Sequence, residues 1–292
     1  MKNQNVLAWF LLLLLAVIWG SSPILIKKAL IQLDPFEIGA LRLSLASVVL
    51  MPFLFKNLKE IRRGDYFILF VSGVVGSVIP YFLYPIAQTR IDSATSGVLT
   101  SLTPFFALII GVIFYKLKAT KNNIFGLVSG FSGTSILILF SSSTDGFKAD
   151  LFGLFVVAAT LLYGINLNLV KYHLSHLKPI TITSFSIVSI LPITLYILFV
   201  NTEFLSHLEN ISQFKSEFTY VFILGVLGTS IATLIFYNLI KIKDTVFASM
   251  VTYLMPIVAI AFGVLDGEKI NLTQLLGMLL ILLGVYVNGR KN

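Results

Sequence analysis

The sequence predicts an all-α integral membrane protein: ten transmembrane helices arranged as two five-helix repeats of inverted topology. Three observations lead there. The 292 residues are 57% hydrophobic and only 12% charged, with a mean hydropathy of +0.94, whereas soluble domains carry about 25% charged residues. A chain of this length cannot hide so much apolar surface in its own core, so lipid must cover part of it. The apolar residues come in runs of ~20, the length a helix needs to cross hydrocarbon. Finally, the second half of the chain repeats the first.

In chain order the runs lie at 6–26, 36–55, 66–86, 94–115, 123–141, 151–170, 180–200, 219–240, 246–265 and 272–288. At about 1.5 Å of rise per residue each can span as a helix; barrel strands would be shorter and strictly alternating. The first run is N-terminal and Leu-rich. Only Lys2 precedes it, it is longer than a signal-peptide core, and no clear cleavage site follows, so it is expected to stay as the first helix. Connections are short except 201–217, which is polar, holds Glu203, Glu209 and Glu217, and is expected to be a surface loop with little structure.

Lysine and arginine set orientation. With the N-terminus inside, the inner segments carry Lys2, Lys56, Lys59, Arg62, Arg63, Lys116, Lys118, Lys121, Lys171, Lys178, Lys241, Lys243, Arg290 and Lys291, fourteen in all. The outer segments carry six: Lys27, Lys28, Arg90, Lys148, Lys215 and Lys269. Both termini are therefore expected to be cytoplasmic.

The repeat is legible residue by residue. Trp19-Gly20 recurs as Tyr163-Gly164, Lys27 as Lys171, and Asp34-Pro35 as Lys178-Pro179, each 144 positions later. Gly76, Asp92, Thr100 and Pro104 recur as Gly228, Asp244, Thr252 and Pro256 at an offset of 152, and Gly126 and Gly133 as Gly277 and Gly284 at 151. The repeats are thus 1–143 and 147–292. Five spans is an odd number, so the two must face opposite ways across the bilayer. Inverted repeats mark carriers whose site lies near the midplane and opens to each side in turn.

Candidate binding residues follow from that symmetry. Trp19, Ser21, Ser22, Asn166 and Asn168 lie at matching depths of the first and sixth runs, where small and amide side chains either line a cavity or join helices. Tyr81 and Tyr84 lie on the third run, near an end where aromatics also anchor at the interface. Thr100, Thr103, Thr252 and Tyr253 stand just before Pro104 and Pro256, expected hinges or kinks that each remove a helical hydrogen bond. Arg42 is the one charge well inside a run. At a helix centre it costs about 2.5–3.5 kcal/mol on insertion scales, so it must face protein or water. It either meets a substrate carboxylate or phosphate, or serves structure by capping carbonyls or pairing with a residue such as Glu268. Gly126-x-x-x-Gly130 is a close-packing motif.

Other chemistry is excluded or unsupported. The absence of cysteine removes disulfides, thiol catalysis and cysteine metal sites. The net charge of +8 is spread over short loops, which suits anionic lipid headgroups and not nucleic acid. His173, His176 and His207 fall in expected loops and assemble no metal site. No run holds an interior Asp or Glu for a proton relay, and no nucleotide-binding loop is present. No cofactor is expected.

Several segments carry a family resemblance. Ile18-Trp19-Gly20-Ser21-Ser22, the Arg42 in Ala40-Leu41-Arg42-Leu43, the stretches from Ala94 to Pro104 and Ala248 to Pro256, and Gly267-Glu268 followed by Gly277 and Gly284 resemble the motifs of the drug/metabolite transporter superfamily, in particular its bacterial EamA-type ten-helix members. The chain departs from that pattern at Tyr115-Lys116, where Gly-Glu is frequent, at Tyr163-Gly164-Ile165-Asn166, and at Ser186 opposite Arg42. The resemblance implies a secondary transporter in the bacterial cytoplasmic membrane, moving a small polar metabolite such as an amino acid, with export slightly preferred, and no enzyme. The alternatives are a channel-like facilitator and an intramembrane enzyme, although no nucleophile–base pair is visible at membrane depth.

Overall fold

The computed structural model describes residues 2–140, 150–210, 212–243 and 251–288, and its elements are helices. Lys148, Asp244, Ala248, Arg290 and Lys291 lie outside the described residues, as does the side chain of Tyr253. Eight helical segments are long and apolar enough to cross a membrane, from Asn5–Ala29 to Lys215–Phe236; Leu254–Leu265 and Leu272–Val287 are shorter apolar helices. Large apolar side chains such as Phe10, Phe55, Phe67, Phe114 and Leu272 point outward from the bundle, a surface suited to lipid.

The expected runs form helices that are broken where the sequence offers the backbone an alternative. The first run is α1 (Lys2–Gly20) and α2 (Ser22–Ala29), parted at Ser21. Ser21 and Ser22 both donate their hydroxyls back to Ile18 O, at 3.0 and 3.3 Å, the back-bonding that bends helices. The second run is α3 (Pro35–Asn57); Asp34 caps it by accepting from Phe36 N and Glu37 N, and Pro35 suits its first turn. The third run joins α4 (Asp65–Gly73) to α5 (Ile79–Gln88) through a π-helical turn, Val74–Val78. The fourth joins α6 (Ser93–Leu99) to α7 (Thr103–Tyr115) through a 3-10 turn, Thr100–Leu102. Next come α8 (Lys121–Leu139), α9 (Gly153–His173), α10 (Pro179–Ser189) and α11 (Leu191–Val200). The eighth run is α13 (Lys215–Phe222), a π-helical stretch Ile223–Ile231, and α14 (Ala232–Ile242). The last two are α15 (Val251–Leu265) and α16 (Leu272–Asn288). Both π-helical segments surround the repeated glycines, Gly76 and Gly228.

Two sequence expectations need correction. The segment 201–217 is not an unstructured loop: it holds α12 (Phe204–Glu209) and the start of α13. Its charges are tied to the bundle. His207 Nδ1 lies 3.0 Å from the fully buried Glu37, and Gln32 donates to Glu217 at 3.1 Å. His207 and His173 therefore belong to helices, each in a last turn.

The small-residue reading of the fifth run holds, with a partner it did not name. α8 packs along α16: a methyl group at Gly133 would lie 2.5 Å from Gly277 O, and one at Gly284 would lie 2.6 Å from Gly126 O. Gly130 faces the ring of Phe105.

Candidate functional site

Four helices meet around Gly228. α1 brings Trp19, whose Nε1 donates to Gly228 O at 2.9 Å and whose ring tilts against Phe236 at 5.5 Å. A π-helical turn shifts the backbone ladder and leaves carbonyls for outside donors; Trp19 takes one. α2 brings the Ser22 hydroxyl, 3.6 Å from where a Cβ at Gly228 would stand. α3 brings Arg42, 6% exposed. Its Nε donates to Thr229 Oγ1 at 3.0 Å, and its guanidinium carbon lies 4.1 Å from the centre of the Tyr81 ring on α5. Thr229 donates its own hydroxyl to Leu224 O at 3.0 Å. A cation over a tyrosine face is stabilised by the ring quadrupole, which accounts for the placement of Tyr81. Tyr84, one turn further along α5, stacks on Tyr163 of α9 at 6.2 Å, and its buried hydroxyl has no hydrogen-bond partner among the described residues.

The same pairs of positions meet in the other half with different residues. Asn166 stands where Ser22 does and packs on Gly76, accepting from Ser72 at 2.7 Å. Gly225 packs on Arg42 O, where a methyl would lie 2.8 Å away; its counterpart Gly73 packs on Ser186 O. Gly20 lies against Met255 and Val258, Gly164 against Phe106 and Ala107. Ser186, the counterpart of Arg42, is buried with its hydroxyl unpaired among the described residues. The centre therefore carries one cation where its mirror position is neutral.

Of the sequence candidates, Trp19, Ser22, Arg42, Tyr81 and Tyr84 gather here. Ser21, like Ser22, donates its hydroxyl back to Ile18 O, and unlike Ser22 it has no place beside Gly228. Thr100 and Thr103 donate to Ser96 O and Thr100 O, at 2.8 and 2.9 Å. The second bond covers the carbonyl one turn before Pro104, so that proline sits in the first turn of α7 and leaves that carbonyl satisfied. Pro256 lies inside α15, with Thr252 half-buried before it. Asn168 is buried and ties α9 to α7, donating to Ala107 O at 2.8 Å and to Gly164 O at 2.9 Å. Asn168→Leu is expected to destabilise the protein by about 1 kcal/mol, the scale of a hydrogen bond between membrane helices, read as a lower melting midpoint in detergent. Sequence reasoning missed Thr229 and Tyr163 as site residues. Tyr163 was legible as the repeat of Trp19; Thr229 had no signal beyond its place after Gly228.

A model of the EamA-like transporter family matches residues 6–139 and again 151–290. The chain belongs to that family. It is 25% identical to an uncharacterized transporter of Archaeoglobus fulgidus over 97% of this chain and 99% of that one. It is 26% identical to the uncharacterized transporter YetK of Bacillus subtilis over 92% and 82%. The Escherichia coli K12 protein YhbE, described as an inner membrane transporter, is 26% identical over 56% of this chain and 55% of its own. A solved crystal structure superposes with a TM-score of 0.61 at 14% identity, covering 96% and 95% of the two chains, a likeness of fold.

The Gly-Glu pair that the sequence shares with the EamA pattern has a clear job. Gly267 takes a left-handed φ of +88°, open to glycine at no steric cost, and turns the chain so that Glu268 reaches the start of α6. Glu268 accepts from Ser93 N at 2.9 Å, Ser93 Oγ at 2.6 Å and Ala94 N at 3.0 Å, and pairs with Lys27 at 2.8 Å. Lys27 also reaches Asp266 at 2.8 Å, and Lys28 pairs with Asp266 as well. Glu268 is thus a helix cap and an ion-pair partner at once, and it is not the partner of Arg42. Burial alone would push its carboxyl up; the hydrogen bonds from Lys27, Ser93 and Ala94 outweigh that and hold it below the ordinary range. Hydrogen bonds from Lys27 and Lys28 lower Asp266, while burial, with the charge of Glu268, raises Asp92.

In the first half the geometry shifts the comparison by one residue. Lys116, not Tyr115, takes the left-handed position, at φ 56°. Leu117 N then donates to Gly111 O at 3.1 Å, beside the N–H of Lys116, and its side chain lies on Gly111 as that of Glu268 lies on Gly263. Leu117 therefore stands where Glu268 does, and this end of the bundle has an apolar residue at the position of the carboxylate. Relief of the left-handed strain in Lys116→Gly is expected to stabilise the protein by about 1 kcal/mol, measurable as a higher melting midpoint.

Proposed function

We propose that this chain is a secondary transporter that carries a small polar metabolite across the bacterial cytoplasmic membrane by alternating access, with export preferred and both termini cytoplasmic. Its ten spans divide into repeats 1–143 and 147–292 of opposite orientation, and the site lies between them around Arg42, Trp19, Ser22, Tyr81 and Tyr84. The observation that carries this reading is the doubling of the helix contacts: Ser22 on Gly228 and Asn166 on Gly76, Arg42 on Gly225 and Ser186 on Gly73. Two halves that make the same contacts with different residues can exchange conformations about one shared site. At the Lys27 end α6 crosses α15 closely, with Gly97 on Ala259 and Gly263 on Ala94, contacts that opening on that side would have to part.

Metabolite profiling of cells with and without the gene identifies the solute to load. In proteoliposomes, its uptake is expected to saturate and to accelerate when the same solute is preloaded inside. Flux that rises linearly without acceleration supports a channel instead, and chemical conversion of the solute supports an enzyme.

A further inference from the structure

The Arg42 centre has more donors than the described residues use. A guanidinium carries several N–H groups in a planar fork. Among the described residues, Nε alone is engaged, by Thr229 Oγ1, and no carboxylate stands within ion-pair distance. Packing does not explain a charge kept there, since Ser186 fills the mirror position without one. A second polar group points the same way. The Tyr84 hydroxyl is buried and completes no full hydrogen bond among the described residues; its hydroxyl neighbour Thr100 donates to Ser96 O at 2.8 Å and keeps only acceptor capacity. The neighbouring groups are aromatic: Tyr81 under the guanidinium, Tyr163 stacked on Tyr84, and Trp19 fixed by Gly228.

We infer that the transported solute is an organic monoanion, its carboxylate bound by the free edge of Arg42 and the Tyr84 hydroxyl, and its body apolar or planar against Tyr81 and Tyr163. This rests on the carrier reading above. Charge matching selects the carboxylate over a phosphate monoester. One buried cation balances one negative charge, whereas a phosphate monoester carries about −1.5 to −2 at neutral pH and would leave charge uncompensated in a low-dielectric site. The planar fork of arginine also suits bidentate carboxylate binding.

The test uses purified full-length protein and matched probes: benzoate with benzamide, phenylacetate with phenylacetamide, and phenyl phosphate. Binding is read from the melting midpoint in detergent as each probe is titrated. The carboxylates are expected to raise the midpoint saturably, with each amide weaker by about tenfold or more. Arg42→Gln should bring acid and amide to parity, Arg42→Lys should keep part of the preference, and Tyr84→Phe should weaken the acids more than the amides. The wild-type ratio decides even if Arg42→Gln fails to fold. Equal binding of acid and amide overturns the inference, as does no binding of either carboxylate or tighter binding of phenyl phosphate. The carrier reading fails separately: binding that discriminates without counterflow refutes transport and leaves the anion site, whereas counterflow of acids and amides alike refutes the anion site and leaves the carrier.

Discussion

Joining positions 27 and 266 with a short, reducible bifunctional thiol reagent is expected to abolish counterflow, and reductant to restore it. The double variant Lys27→Cys/Asp266→Cys is built on a chain without cysteine, so only the introduced pair reacts. The physical basis is the network at that end. Lys27, Lys28, Asp266 and Glu268 join the end of the first run, the start of α6 and the turn after α15. A carrier must part these elements to open there, and a covalent bridge forbids it. Each single-cysteine variant treated with the same reagent should keep its flux. Unchanged counterflow in the cross-linked protein would show that this end does not open during transport. The network also has a signed pH dependence. Asp266 and Glu268 are held below their ordinary values of 3.8 and 4.5. Their stabilising contribution is therefore complete above those values and is lost as pH falls through the lowered ones. The midpoint of wild-type protein should fall on acidification below pH 4.5, and Glu268→Gln should blunt that fall.

Gly133→Trp and Gly277→Trp are expected to remove nearly all monodisperse protein, whereas Ser22→Trp should leave the yield near normal and stop transport. At the α8–α16 seam the obstacle to a side chain is backbone: Gly277 O at 2.5 Å from a Cβ at Gly133, and Gly133 O at 3.0 Å from one at Gly277. Backbone inside a helix cannot move aside without parting the helices, and overpacking even a yielding core costs about 1–3 kcal/mol. Ser22 is half-buried, and a Cβ built on Gly228 would stand 3.6 Å from its hydroxyl, ordinary contact with no backbone of a facing helix closer. Size-exclusion profiles and counterflow of the same preparations test both halves of the expectation. Asn166→Trp should follow the glycines, because its amide is held by Ser72 and lies tightly on Gly76. Loss of folded protein from Ser22→Trp as severe as from Gly133→Trp would make Ser22 a packing residue.

The sequence by itself determined the membrane class, the helical runs, the family and the single charge at depth. Those follow from local quantities: the transfer cost of a residue into hydrocarbon depends on that residue and its near neighbours, and a repeat is a comparison of letters. The breaks at Ser21, Thr100–Leu102 and the two π-helical segments were only partly legible, because a hydroxyl or a glycine permits a break without requiring it. The tertiary structure alone decided what each polar side chain does. Ser22 and Asn166 occupy matching positions, yet Ser22 donates to Ile18 O of its own run and shares the Gly228 neighbourhood with Arg42, while Asn166 accepts from Ser72. Thr100, Thr103 and Asn168 read as cavity residues and instead satisfy backbone carbonyls. Likewise, Leu117 takes the place of Glu268 in the fold, since each follows the left-handed residue and lays its side chain on Gly111 or Gly263. In an apolar helix a small polar group gains nearly the same energy from its own backbone, a neighbouring helix or a bound solute, so the choice among them is made by whichever partner the fold brings within reach.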